Sequence, residues 1–182
     1  MKPLRRSFDL AFRSSDEIRD AQEKLLAEHL LQCRKSPFYR KRLAGAVSSS
    51  LKRFPLNELR DLPLTTKADL EARNDDFLAV PATAIRDIVQ SSGTTGRPTR
   101  VMYTARDLER LAYNEAVCFK GCGMGPGDRV LLTCTLDRCF VAGYAYHLGA
   151  QAVGACTIRS GLNLAEGRGV EVTLQNQTLI VG

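Results

Sequence analysis

Apolar positions recur at helical spacing in several stretches of the chain. After Ser14-Ser15-Asp16-Glu17 come Ile18, Ala21, Leu25, Leu26 and Leu30, three or four residues apart, as on one face of a helix. Ser14 with Glu17 three positions later fits a capping box, and acids in a first turn suit the helix dipole. Ser36-Pro37 ends this helix, because a residue before proline avoids the α region. A second short helix is predicted over Phe38 to Leu43. Residues 44–63 read as loop, with Gly45, the run Ser48-Ser49-Ser50, Pro55 and Pro63. Thr66 to Arg73 reads as a capped helix, with Asp69 at its third position. Thr104 caps a longer helix to about Gly121, with Asp107 at the third position and Leu108, Leu111, Ala112 and Phe119 as its apolar face. Phe140 to Leu148 is predicted helical.

Between these lie runs of strand type. Ile85, Ile88 and Val89 are β-branched and bounded by Pro81 and a Gly-rich segment. Arg129 to Thr135 is a continuous apolar run, as in a buried parallel sheet. Gly121 to Gly127, with Pro126 inside it, is a turn cluster. Ala152 to Ile158 and Leu179 to Val181 are further strand candidates. Strands alternating with helices predict an α/β fold. The expected division is a mainly helical lead over 1–83 and an α/β segment over 84–182. No internal repeat is visible.

Composition changes this picture little. The chain has 182 residues, 44% hydrophobic and 25% charged, with 14 Gly and 7 Pro. Those values are ordinary for a globular chain and exclude collagen-like and low-complexity readings. No stretch approaches the roughly 20 apolar residues of a membrane span. Met1-Lys2-Pro3-Leu4-Arg5-Arg6 is basic but no apolar core follows, so no signal peptide is read and a cytoplasmic protein is expected. The six cysteines are irregularly spaced and there are two histidines. Reduced, buried thiols are therefore expected, with Cys118 and Cys122 sharing a helix face in core packing. Net charge is +6, and the excess lies in residues 1–60, peaking at Arg34, Lys35, Arg40, Lys41 and Arg42. Such a run is either a nucleic-acid patch or a solvated face or seam; thin aromatic interleaving favours the second, and no nucleic acid or membrane partner is expected.

The stretch that carries chemistry is Ser91-Ser92-Gly93-Thr94-Thr95-Gly96-Arg97-Pro98-Thr99. Gly93 and Gly96 let a backbone approach a ligand closely. Successive N–H groups of such a loop form a nest for phosphate oxygens. Ser92, Thr94 and Thr95 add hydroxyl donors, and Arg97 a charge-assisted one. It is no Walker A loop, since G-x-x-x-x-G-K-[ST] is absent. On composition alone an ordinary Ser/Thr/Gly turn fits equally well.

The order of those nine residues resembles the phosphate loop of the adenylate-forming superfamily. Several further segments, in order, resemble its phenylacetate–CoA ligase branch. They are Ser36-Pro37-Phe38-Tyr39, Leu62-Pro63-Leu64-Thr65-Thr66-Lys67-Ala68-Asp69-Leu70, Pro98-Thr99, Tyr103-Thr104 with Asp107-Leu108, Gly125-Pro126-Gly127-Asp128, and Gly143 to Gly154. The resemblance covers about residues 20 to 160. It implies the N-terminal part of that family's large domain and a two-step reaction. A carboxylate attacks the α-phosphorus of Mg-ATP, and a thiol, usually of coenzyme A, then displaces AMP. By position, Ser91, Ser92, Gly93, Thr94, Thr95, Gly96 and Arg97 would hold the departing β- and γ-phosphates, with Thr99 closing the loop. The implied cofactors and partners are ATP, Mg2+, coenzyme A and a small carboxylate.

The chain departs from the family in places. Thr99 stands where the wider superfamily often has Lys, which leaves Arg97 as the cation. Thr135-Leu136-Asp137-Arg138-Cys139-Phe140 replaces a Gly- and aromatic-rich acyl-site segment, and Cys156 to Gly161 replaces a Gly- and Asn-containing loop. The family's adenine, ribose and magnesium motifs and its catalytic lysine lie further downstream, so a fragment inactive alone is expected. The alternative is a non-catalytic nucleotide-binding or protein-interaction relic, self-associating or meeting a partner chain through an exposed seam. His147 either lines an acyl pocket or is a satisfied structural histidine. Asp128 is read as capping a turn, Lys67 as packing or capping, and Asp75-Asp76 as a metal pair or a helix end. No Ser/His/Asp or Cys/His nucleophile is read from two histidines at these positions.

Overall fold

The computed structural model describes residues 8–91, 98–137, 139–161 and 179–181, the side chains of 179 and 180 excepted. It divides into two compact units, Asp9–Arg86 with Gln90–Met102, and Met1–Phe8 with Asp87–Val89 and Tyr103–Gly182.

The first unit is built on α1 (Ser15–Cys33), α2 (Pro37–Arg42) and α3 (Lys67–Arg73). Ser14 and Glu17 close the predicted capping box on α1, and Thr66 and Asp69 close one on α3. Pro37 both ends α1 and opens α2, where its missing N–H and fixed φ cost nothing. Ser36, fully buried, makes that corner: its hydroxyl donates to the Cys33 carbonyl at 2.9 Å and accepts from the Tyr39 amide at 3.2 Å. A buried hydroxyl with both roles filled carries no desolvation penalty.

The core of this unit is Ala27, Leu30, Leu43, Val47 and Phe54. Val47 and Phe54 come from the stretch read as loop, which instead supplies two buried anchors. The Phe54 amide donates to the Glu23 carbonyl at 3.1 Å, and Arg53 bridges to the Glu23 carboxylate at 2.6 Å. That guanidinium, chiefly, holds the Glu23 carboxyl below its ordinary range. Beside the core, Phe38 stacks on Phe77 with ring centroids 4.0 Å apart, and the Arg42 guanidinium lies 4.4 Å from the Phe38 ring centre. Of the basic run, Arg34 donates to the Val47 carbonyl, Lys35 to Gln32, Arg40 to the Lys35 carbonyl and Arg42 to the Leu64 carbonyl. These contacts make the run a set of solvated side chains tied into local structure.

The second unit is a three-stranded parallel sheet of order β4-β3-β5, where β3 is Arg129–Leu132, β4 is Cys156–Arg159 and β5 is Leu179–Val181. β3 is central: after the exposed Arg129, Val130, Leu131 and Leu132 are fully buried, as the apolar run predicts. The parallel β3–β4 pair needs a crossover, supplied by α5 (Val141–Ala152). Ahead of β3, α4 (Ala105–Gly121) starts at the predicted Thr104–Asp107 capping box. Asp128 caps the turn before β3, accepting from the Gly125 amide at 2.7 Å. His147 on α5 and Thr157 on β4 lie 2.8 Å apart, Nδ1 to Oγ1. Burial, and then Arg159, hold that imidazole's pKa below its usual value. This partnered histidine matches the structural reading.

Helices α4 and α5 meet at glycine. A Cβ on Gly149 would fall 2.2 Å from the Glu115 Cβ, and one on Gly143 would fall 2.2 Å from the Thr135 carbonyl oxygen. The same crossing partly buries Glu115 and raises its pKa.

The expectation of buried thiols is corrected. Cys118, Cys122, Cys139 and Cys156 are exposed, and Cys33 and Cys134 are partly so. The buried face of α4 carries Ala116 and Phe119; Cys118, one residue round the helix from Phe119, faces water. Among the described residues no helix is long and apolar enough to cross a membrane.

Replacing Gly149 by Val is expected to destabilise the protein by about 1–3 kcal/mol through overpacking of the α4–α5 crossing. Gly45→Ala, where a new Cβ meets nothing within 4 Å, is expected to change stability by less than about 0.5 kcal/mol. Urea unfolding midpoints at unchanged slope measure both.

Candidate functional site

Two strands flank the Ser/Thr/Gly loop. β1 (Ile85–Gln90) matches the predicted strand, and β2 (Arg100–Thr104) pairs with it. The second strand is missing from the sequence reading. Its five residues hold Val101, Met102 and Tyr103 between Arg100 and a helix cap, too short a run to register against the loop before it.

The two ends of the loop are tied together. The Ser91 amide donates to the Thr99 carbonyl at 3.0 Å. In return the Thr99 amide donates to the Ser91 Oγ at 3.0 Å, and the Thr99 hydroxyl donates to the same oxygen at 3.1 Å. Ser91 and Thr99 are thus brought together. Ser92, Gly93, Thr94, Thr95, Gly96 and Arg97 lie outside the described residues.

The exit of the loop is held from a second direction. Asn74 brackets Arg100: its Oδ1 accepts from the Arg100 amide at 3.0 Å, and its Nδ2 donates to the Arg100 carbonyl at 3.1 Å. The Arg100 guanidinium pairs with Asp75 at 2.7 Å, while Asp76 pairs with Arg73 at 2.7 Å. Asp75-Asp76, one reading of which was a metal pair, therefore engages two arginines. Asn74 is a positioning residue that sequence reasoning missed. It stands 26 positions from Arg100, and nothing in a linear pattern links an asparagine at a helix end to a strand so far downstream. Two residues past the Asn74–Phe77 turn, the Ala79 carbonyl accepts from the Gln32 side-chain amide of α1 at 3.0 Å.

Just beyond β2's start, Tyr103 is partly buried; burial, then the Asp87 and Asp107 carboxylates, push its phenol pKa up and keep it a hydrogen-bond donor. Lys67 reaches Glu71 at 3.6 Å across one turn of α3. Among the described residues no three His, Cys, Asp or Glu side chains gather as a metal site, so no magnesium ligand is assigned here.

Over 147 residues, 80% of this chain, the sequence is 33% identical to the phenylacetate-coenzyme A ligase of Escherichia coli K12. The chain belongs to the adenylate-forming superfamily, in its phenylacetate–CoA ligase-like branch. The Thermus thermophilus phenylacetate-coenzyme A ligase is 34% identical over 123 residues, 67% of this chain and 27% of that protein. The chain spans about a third of the length of the curated relatives it matches. No family model matches it. Among solved structures, 2-hydroxyisobutyryl-CoA ligase in an open conformation, in complex with 2-HIB-AMP and CoA, superposes with a TM-score of 0.69. It does so at 22% identity, over 88% of this chain and 35% of that one. At that identity the likeness shows the fold alone, that of an adenylate-forming CoA ligase.

Replacing Thr99 by Val removes the hydroxyl donor of the neck while keeping its amide bond to Ser91. Stability is expected to fall by about 1 kcal/mol, and limited proteolysis between Ser91 and Thr99 to accelerate. Lys67→Ala, whose ammonium pairs with Glu71 on α3, is expected to leave the cleavage rate unchanged.

Proposed function

We propose that this chain supplies the phosphate grip of an ATP-dependent acid–thiol ligase, with Ser92, Gly93, Thr94, Thr95, Gly96 and Arg97 around the β- and γ-phosphates. The observation that carries the reading is the Ser91–Thr99 neck. It gathers the two ends of a segment whose composition suits an oxyanion cradle, in a chain whose relatives are named phenylacetate-coenzyme A ligases. In this reading amide, hydroxyl and guanidinium donors neutralise the charge that builds on pyrophosphate as a carboxylate attacks the α-phosphorus. ATP with magnesium supplies the leaving group, and coenzyme A is the acceptor thiol. The chain's own part is to hold the phosphates still. Because it covers about a third of its relatives, these residues are assigned the grip and not the whole reaction. A small carboxylate is the proposed acyl substrate.

Calorimetric titration tests the assignment. ATP and inorganic pyrophosphate are expected to bind competitively, and AMP, which lacks the gripped phosphates, not to compete. Hydrogen bonds to charged groups contribute about 1.5–3 kcal/mol each. The double substitution Thr94→Ala with Thr95→Ala is therefore expected to weaken pyrophosphate binding by on the order of a hundredfold. Equal affinity in the double variant, or competition by AMP as strong as by pyrophosphate, contradicts the assignment.

A further inference from the structure

Helix α1 ends in two metal-ligating side chains one turn apart. His29 and Cys33 are at i and i+4, and the His29 Nε2 lies 3.5 Å from the Cys33 Sγ. Residues so spaced are neighbours on a helix surface. The distance is informative. Zinc binds thiolate sulfur at about 2.3 Å and imidazole nitrogen at about 2.0–2.1 Å, and in a tetrahedral shell those two atoms stand about 3.5 Å apart. The two ligand atoms already hold the span that one zinc ion needs, so little rotamer entropy is lost on binding.

Two features around the pair suit a cation. Cys33 is the last residue of α1, at the end where the helix dipole is negative. His29 is exposed, while Cys33 packs against the Leu30–Val47 core and is held in place.

We propose that His29 and Cys33 form a two-residue clamp for a thiophilic divalent cation of the zinc class, with water in the remaining positions. It is separate from the phosphate loop and independent of the ligase reading. The imidazole binds through Nε2 and keeps its proton on Nδ1. The thiol gives its proton to the buffer as the sulfur–metal bond forms. One S–H bond breaks, one metal–sulfur and one metal–nitrogen bond form, and no electrons change hands.

Cobalt(II) is the probe, because thiolate ligation gives it a charge-transfer band that water and imidazole do not. The purified chain is expected to develop that band at one cobalt per chain, with release of one proton, and zinc is expected to abolish it. His29→Gln, an exposed substitution that leaves the core intact, is expected to weaken binding by on the order of a hundredfold by removing chelation. Cys33→Ser is expected to remove the band; circular dichroism verifies that the variant is folded. Cys118→Ser and Cys122→Ser, which alter the exposed thiol pair on α4, are expected to change nothing. A band that is absent, that survives His29→Gln at full affinity, or that follows Cys118 and Cys122 instead overturns the proposal.

Discussion

Ser91 and Thr99 exchange backbone and side-chain hydrogen bonds in both directions, and the candidate site depends on that exchange. Bringing the ends of a segment together costs loop-closure entropy, and the cost is met once if the ends are bonded to each other. A segment closed this way can present several amides and hydroxyls to one small anion without a rigid interior of its own. The same logic explains the support behind the neck. Asn74 holds both backbone groups of Arg100 and Asp75 holds its guanidinium, one residue beyond Thr99.

The parallel sheet answers to a different constraint. With three residues of β3 fully buried, both faces of the strand must be covered, and the crossover helix α5 is drawn close enough to α4 that only glycine fits at 149. Partial burial of Glu115 follows from that approach and does not require a catalytic purpose. Among the described residues of this unit, His147 lies 2.8 Å from the Thr157 hydroxyl and the Thr133 hydroxyl donates to the Val181 carbonyl at 3.0 Å.

Much of this was legible in the sequence, and the reason is local. The capping boxes at Ser14, Thr66 and Thr104 work over three residues, Pro37 acts on its neighbour, and β3 carries three consecutive apolar residues after Arg129; each signal sits where its effect is. The failures share the opposite property. Val47 and Phe54 are buried from a stretch full of Ser, Gly and Pro because Glu23 and Arg53, 30 positions apart, strap it to α1. Asn74 acts on Arg100 at a similar remove. Cys118 and Cys122 are one turn apart, as expected, but periodicity alone does not say which side of α4 meets α5. At the candidate site the residue types were readable and the closure at Thr99 was expected by resemblance, whereas the anchors that make closure firm are tertiary.

The central claim is that a closed neck holds a phosphate-binding loop. Backbone amide NMR during a pyrophosphate titration tests it most directly. The account predicts that the amides of Gly93, Thr94, Thr95 and Gly96 shift together with one dissociation constant, while Ser91 and Thr99 keep their hydrogen-bonded, exchange-protected amides. Shifts confined to residues outside 91–99, or rapid exchange of the Ser91 and Thr99 amides, would contradict it.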